Sequence, residues 1–359
     1  MLALDHKEAD MIPFGMGFGV NPPAREKLRE LLGHASLFQT DVWLRSFSDL
    51  RYVTPLYKGP ADRDVWRADG SHMDIWGIIR RPVAYSSLGT YDEIEVYPLA
   101  DAETEADLEN YPWPSPDWLD YESLPNLIDK IDEGGNHAIY TGNGIIFEIA
   151  WYMRGLEQMM TDLITEPEFA YALMQRITDY HIEYFDRILT AAKGKISIVF
   201  TGDDVGGQNG LLVSPSIWES LIKPHHVRLN RFLHGRGVKV MYHSDGSVID
   251  ALDGFIDMGV DVLEALQLDA ARMDPSVIKQ GWGDRLCFHG GVSVQQLLPF
   301  GTPEQVRAEV GDLIRILGKG GGYILAPSHA VQAGTPPENI LAMLQTARPN
   351  MFDSTYLVL

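Results

Sequence analysis

The chain has 359 residues, 45% hydrophobic and 22% charged, which is the composition of a globular protein and excludes a disordered one. Its 50 acidic and 29 basic residues leave a formal charge of −21, so a phosphate backbone or an anionic lipid surface is disfavoured as a partner. One cysteine, Cys287, excludes a disulfide framework and any Cys-rich metal site.

The first ten residues reach charge at once, and no apolar run approaches the roughly 20 residues of a spanning helix. A soluble, cytoplasmic protein is expected. Ile12–Phe18 reads as a first strand, followed by a helix over Ala24–Leu32, and Phe38–Leu44 reads as a second strand. Residues 46–137 then break the rhythm with Asp-Gly, Pro-Ser-Pro and an acidic run. Within them, Ser71–Arg81 and Ile94–Leu99 suit a hairpin, and a short helix falls near Ser123–Glu133. We read this segment as an insertion after the second strand that covers the mouth of one domain spanning 1–359.

From Ala138 onward, short apolar runs alternate with longer stretches of helical period. The runs are Ala138–Tyr140, Ile196–Thr201, Val238–His243, Asp261–Leu266, Leu286–His289 and Tyr323–Ala326. They lack strict polar alternation, as strands buried on both faces do. Thr165, Thr302 and Thr335 each stand three residues before a Glu or Gln and are read as helix N-caps. Gly134-Gly135, Gly235-Arg-Gly237 and Gly320-Gly-Gly322 end helices ahead of the next strand. Eight βα units favour an α/β fold of the (β/α)8 TIM-barrel type over an open sheet, and there is no GxGxxG turn to suggest a dinucleotide fold.

In such a barrel the functional groups sit where strands end. Asn143, Glu148 and Tyr152 follow the third strand, and Asp203, Asp204 and Gln208 the fourth. The fifth ends in His243-Ser-Asp245. The sixth carries Glu264 and ends near Gln267, the seventh ends at His289 and the eighth at His329. Three of the eleven histidines thus terminate strands at one rim. Adjacent strand residues point to opposite sides, so one of Asp203 and Asp204 is expected to face the pocket as acid, base or substrate anchor. His243 and Asp245 are two apart and point the same way, which suits two ligands of one metal or a simple His–Asp hydrogen bond. Glu148 and Tyr152, four apart, share a helix face. Asn143, Gln208, Gln267 and His289 are candidate substrate contacts. Cys287 reads as inert packing, and His225-His226 as surface or packing residues.

Several segments resemble the uroporphyrinogen decarboxylase superfamily, which includes decarboxylases and corrinoid-linked methyltransferases. They are Tyr152-Met-Arg-Gly155, Ser214-Pro with the helix reaching Lys223-Pro224, His243-Ser-Asp-Gly246, Gly290-Gly291, and Ala326-Pro-Ser-His329 running into Thr335-Pro-Pro-Glu-Asn339. The Arg-rich N-terminal segment with which the decarboxylase holds a multiply anionic tetrapyrrole is absent here: Gly15-Met-Gly-Phe-Gly-Val follows the first strand, with no Arg until Arg25. The thiol-methylating members hold zinc through a His-x-Cys pair after the fifth strand and a Cys after the eighth. The corresponding positions are His243-Ser-Asp245 and His329, a nitrogen and oxygen set that still suits zinc and favours polarising an oxygen over binding a thiol.

The resemblance therefore implies an O-demethylase-like methyltransferase. It would move a methyl group from a small methoxylated substrate to a separate corrinoid protein, with either a metal at His243, Asp245 and His329 or an acid among Asp203, Asp204 and Glu148 polarising the ether oxygen. No corrinoid-binding Asp-x-His-x-x-Gly stretch occurs in the chain. The alternatives are a cofactor-free decarboxylase of a small carboxylate, which Arg154 or other arginines at the mouth would support, and a non-catalytic binding barrel. A homodimer is compatible with the sequence.

Overall fold

The computed structural model describes residues 1–86, 89–132 and 134–352. Its centre is a seven-stranded sheet in which Leu50–Tyr52, Ala138–Ile145, Ile198–Gly202, Lys239–His243, Val262–Ala265, Cys287–Val292 and Tyr323–Pro327 lie side by side in chain order. Every pairing in it is parallel. Each connection therefore crosses back over the sheet, and the strand C-termini gather at one rim.

The two edges of the sheet are joined through Phe14. It forms a parallel bridge with Leu325 in the last strand, and its carbonyl accepts the amide of Asp49, just before the first strand of the sheet. The expected strand over Ile12–Phe18 is thus reduced to a single bridge. Pro13 has no N–H to donate, and the chain turns left-handed at Gly17.

Phe38–Leu44 is not a strand. It lies within a helix, Leu37–Phe47, whose N-terminus is capped by the Ser36 hydroxyl accepting from Gln39 N. Thr40, Leu44 and Phe47 are its buried positions, a helical spacing that a short apolar run does not distinguish from a strand. The second strand position is Leu50–Tyr52 instead.

The irregular segment has its hairpin between Ile79–Ser86 and Gly89–Val96, a few residues from the expected registers, and its helix at Leu124–Ile131. Glu133 falls outside the described residues. Trp76, Ile78, Leu99, Leu108, Leu124 and Ile128 belong to the same hydrophobic cluster as the helices around the sheet.

Of the three threonine caps, only Thr302 acts as expected, with a full capping box to Gln305. Thr165 closes the preceding helix and donates to Thr161 O. Thr335 is buried, and Pro336 takes the N-cap position. Among the described residues, no helix is long and apolar enough to cross a membrane.

The inside of the sheet is layered. Ala3 and Leu4 from the N-terminal turn pack with Ile198, Met241, Val262, Cys287 and Ile324 as an apolar floor. Two residues further along three of these strands, on the same face, stand His243, Glu264 and His289. Cys287 is buried and its thiol is pushed up to about 12 by that burial, in keeping with inert packing.

Two stability predictions follow from these contacts. Arg348 clamps the seam: it donates to Ile12 O at 2.6 Å and pairs with Asp49, whose carboxylate accepts Phe14 N at 2.8 Å. Arg348→Ala is expected to cost about 2 kcal/mol in urea unfolding, less than a fully buried pair because Asp49 is half-exposed. His181 is fully buried, with Nε2 donating to Ile145 O at 2.7 Å and Nδ1 unpartnered. Burial lowers it to about 4, below an unfolded histidine near 6.5. Its contribution is complete above about pH 6.5 and is lost as the pH falls toward 4, by roughly 3 kcal/mol. His181→Gln should flatten that part of the stability curve.

Candidate functional site

The parallel register sets three side chains abreast. His243 pairs with Glu264 on the next strand, and Glu264 with His289 on the one after. All three are buried. His243 Nδ1 lies 2.5 Å from Glu264 Oε2. Burial opposes charge on both, but each stabilises the other, so His243 is raised and Glu264 lowered, and the pair is held as an ion pair. With Nδ1 committed to Glu264, His243 presents Nε2 to the rim. This is the usual way a carboxylate orients a metal-ligating imidazole.

Asp204 Oδ1 lies 3.5 Å from that Nε2 and accepts the amide of Asp245 at 2.7 Å. One ligand atom from each of Asp204, His243 and Asp245 lies within 4.8 Å of the others. Two ligands at roughly 2.0–2.1 Å on a tetrahedral zinc are about 3.4 Å apart, so the His243–Asp204 separation fits such an ion. Burial pushes Asp245 up to about 7; His243 opposes this and Asp204 adds to it. His329 stands outside the trio, with Nε2 4.0 Å from Asp245 Oδ2, and its pKa is lowered by burial and by His243. Of the expected set, His243 and Asp245 lie in the close cluster, whose third member is Asp204, and His329 stands beside it.

The two neighbouring aspartates separate as strand geometry requires. Asp203 turns inward, fully buried, and accepts the amides of Ile146 and Glu148 at 2.9 Å each while pairing with His226. It secures the start of the helix Phe147–Arg154, and His226, read as surface or packing, is its buried partner. Glu148 accepts the amide of Asp204 at 2.8 Å and the Tyr152 hydroxyl at 3.0 Å. Burial, then the charges of Asp204 and Asp203, push Glu148 up to about 8. Burial and Glu148 also raise Tyr152. Neither residue lines the cavities described below; they stand behind Asp204.

A cavity of about 630 Å³ opens beside the cluster, with Phe18, Tyr52, Tyr140, Asn143, Phe200 and His289 among its lining. Asn143 reaches it from a bulge in the strand Ala138–Ile145, exposed and with φ of +79°. At the edge of the cavity, Glu264 Oε1 and His289 Nδ1 are buried without hydrogen-bond partners, 3.8 Å apart. Gly15 makes room for His289: a Cβ there would lie 2.5 Å from its Nε2. Gln267 accepts Gly246 N at 2.8 Å and lines a second cavity. Gln208 is exposed and contributes its backbone carbonyl to Ala271, and it lines neither cavity. Arg154 is buried against Asp162 and the carbonyls of Leu99 and Ala100, so it is not a group of the mouth.

Sequence reasoning gave Glu264 no role, although a glutamate inside the apolar run Asp261–Leu266 was a signal that something must pair with it. Phe18 was also missed. Its ring lies edge-on to His243 at 5.1 Å and to His329 at 4.7 Å, over the cluster.

The uroporphyrinogen decarboxylase (URO-D) family model matches residues 104–349, which include the whole Asp204, His243 and Asp245 cluster. The chain belongs to the URO-D family. Its relatives include a decarboxylase and a methyltransferase. Uroporphyrinogen decarboxylase of Psychromonas ingrahamii is 26% identical over 179 residues, 48% of this chain and 46% of that protein. Methylated-thiol–coenzyme M methyltransferase of Methanosarcina mazei is 27% identical over 202 residues, 56% of this chain and 50% of that protein. The chain thus spans about half the length of the curated relatives it matches. Among solved structures, a methyltransferase from Methanosarcina mazei superposes with a TM-score of 0.65 at 18% identity, covering 97% of both chains. This likeness extends the shared fold to nearly the full length.

The different duties of the two aspartates predict different outcomes. Asp203→Ala leaves two buried amides and His226 without their acceptor and should cost about 3–5 kcal/mol on denaturation. Asp204→Ala, at a half-buried position, should cost about 1 kcal/mol.

Proposed function

We propose that this URO-D family member is a methyltransferase that takes a methyl group from a small methoxylated compound and passes it to the reduced cobalt of a separate corrinoid protein. The observation that carries this reading is the close trio Asp204, His243 and Asp245, with His243 oriented by Glu264, at the rim beside an aromatic-lined cavity. A cofactor-free decarboxylase has no need of such a donor set. Asp204, His243 and Asp245 would hold zinc, which supplies Lewis acidity toward an ether oxygen.

The chain's own residues account for the remaining requirements. When the carbon–oxygen bond of a methyl ether breaks, the methyl carbon goes to the nucleophile and the electron pair stays on oxygen, which then needs charge relief or a proton. Glu148, raised to about 8, holds a proton at neutral pH directly behind Asp204, where Tyr152 steadies it. Phe18, Tyr52, Tyr140 and Phe200 shape the cavity for a flat apolar body. Asn143, exposed at the same cavity, is available to a polar substituent of it. We read the sheet as a (β/α)8 barrel closed through Phe14, and the segment after Tyr52 as its cover. Supporting this, Tyr91 donates to Gln332 Oε1 at 3.4 Å and Arg80 lies over the Tyr152 ring at 5.0 Å. The corrinoid would come from a partner protein approaching the same rim.

A second reading rests on one specific observation. Arg25, Arg45 and Arg51 all line the first cavity in a chain whose formal charge is −21, with Asp41 paired to Arg25 and Arg51 bonded to Ser48 O and His137. Cations gathered there favour a substrate bearing a carboxylate, and thus decarboxylation of a small acid by the same site.

The two readings differ in metal and in product. Protein purified without chelator should retain about one zinc per chain and should demethylate an aryl methyl ether when cob(I)alamin is supplied, read as the free phenol and as loss of the cob(I)alamin absorbance. Glu264→Gln should weaken zinc binding about 10- to 100-fold in competition with a chromogenic chelator, and Asp245→Ala should abolish transfer. Carbon dioxide release from a small carboxylate by metal-free protein would overturn the methyltransferase reading in favour of the second.

A further inference from the structure

The first cavity and the ligand trio lie side by side without an open way between them. Phe18, Tyr52, Tyr140 and Phe200 line that cavity, whereas Asp204, His243 and Asp245 are not among its lining residues. Asp245 instead borders the second cavity, of about 680 Å³, together with His329. What lies against His243 from the first cavity is the ring of Phe18, edge-on at 5.1 Å between centroids. The same ring meets His329 at 4.7 Å and Phe200 at 5.9 Å. A body held in the first cavity therefore touches the trio only after this ring has moved.

The backbone that carries Phe18 is held on both sides. Gly15 N donates to Leu325 O, and Gly19 N donates to Met16 O, which closes a turn around Gly17 and Phe18. Beyond the turn, Val20 bridges Val331, whose amide donates to Gly19 O, and Asn21 N donates to Val331 O. Gly17 lies so close to the last strand that a Cβ there would stand 2.9 Å from Pro327 O. Its φ of +53° is one that glycine adopts freely. The ring itself is 47% exposed, and its contacts with Phe200, His243 and His329 are all edge contacts. A half-exposed phenyl ring on a fixed backbone moves by changing rotamer about χ1, which needs no rearrangement of the fold.

We propose that Phe18 is the gate of the site. With its ring over His243, the first cavity is closed to the trio. With the ring swung aside, an oxygen of a bound aromatic body reaches Asp204, His243 and Asp245. The gate presupposes that the trio is where a substrate oxygen is polarised, as proposed above, and adds the residue that decides which bodies arrive there. Phe18 acts by bulk and takes part in no bond making. Because the closed ring withholds the trio, the affinity for an oxygen ligand is reduced in proportion to the open fraction.

Phenol is the probe, followed by two readouts on the full chain. The first is the fluorine NMR resonance of 4-fluorophenylalanine in place of Phe18, which should move as phenol saturates and the ring is displaced. The second is the visible absorption of cobalt(II) held by the trio, which changes when the phenol oxygen binds the ion. Phe18→Ala removes the gate and should tighten phenol on the cobalt-loaded protein about tenfold, while Phe18→Trp should weaken it by about the same factor. A ring that merely lined the cavity would give the opposite sign, because the alanine variant would lose an aromatic contact with phenol. A weakened or unchanged affinity in Phe18→Ala, or a fluorine resonance left in place by phenol up to its solubility, would overturn the gate. A chain that takes up no cobalt would count against the metal reading instead, and the fluorine resonance would then decide the gate alone.

Discussion

The candidate site depends on the parallel register of three neighbouring strands. Because Met241 stands level with Val262, and Val262 with Cys287, the residues two places further on also fall level: His243, Glu264 and His289. The lower layer is apolar and closes the floor, while the upper layer is polar and opens on the rim. A slip of one residue in the Val262–Ala265 strand would turn Glu264 out of the sheet and bring Leu263 in. His243 would then lose the acceptor that fixes its tautomer. The register is held by the apolar floor beneath, where Ala3 and Leu4 of the N-terminal turn fill the end of the sheet. Hydrophobic packing at one end thus sets electrostatic geometry at the other.

The rim concentrates negative charge. Asp204, Asp245 and Glu264 surround His243, with Glu148 one contact behind. One imidazolium offsets only part of this. Burial first, and then the neighbouring carboxylates, drive Glu148 to about 8 and Asp245 to about 7, with His243 opposing both. Carboxyls crowded in this way, away from water, either take up protons or share a cation. A divalent ion between Asp204, His243 and Asp245 would relieve the crowding around Asp245 directly. It would relieve Glu148 only through Asp204, leaving Glu148 able to keep its proton. A metal and an acid can therefore coexist in one small cluster because they occupy successive shells of it.

Much of this was legible in the sequence, and the part that was not has physical causes. Strand ends could be placed because buried parallel strands are continuous apolar runs, and this put His243, Asp245, His289 and His329 at one rim without coordinates. Strand alternation also implied that only one of Asp203 and Asp204 could face outward, though not which. That choice depends on His226, twenty-three residues away on a helix, which pairs with Asp203 in the interior. Phe38–Leu44 deceived because so short a run with apolar side chains on two sides looks alike in either period; the Ser36 cap was a local sign of a helix. Glu264 was visible as an anomaly but had no partner until the register was known. Phe18 could not be foreseen at all, since its contact with His243 and His329 depends on how a non-repetitive loop crosses the rim.

The same loop has a further consequence. Phe18 lies edge-on to His243 and His329 and also lines the first cavity, which is aromatic and has Glu264 at its edge. None of Asp204, His243 and Asp245 lines that cavity, whereas Asp245 and His329 line the other one. A body in the first cavity therefore meets the cluster through Phe18 and Glu264, the neighbours of His243, and not through the trio itself. How closely it can approach His243 is decided by a single side chain between glycines, a residue that carries no chemistry itself.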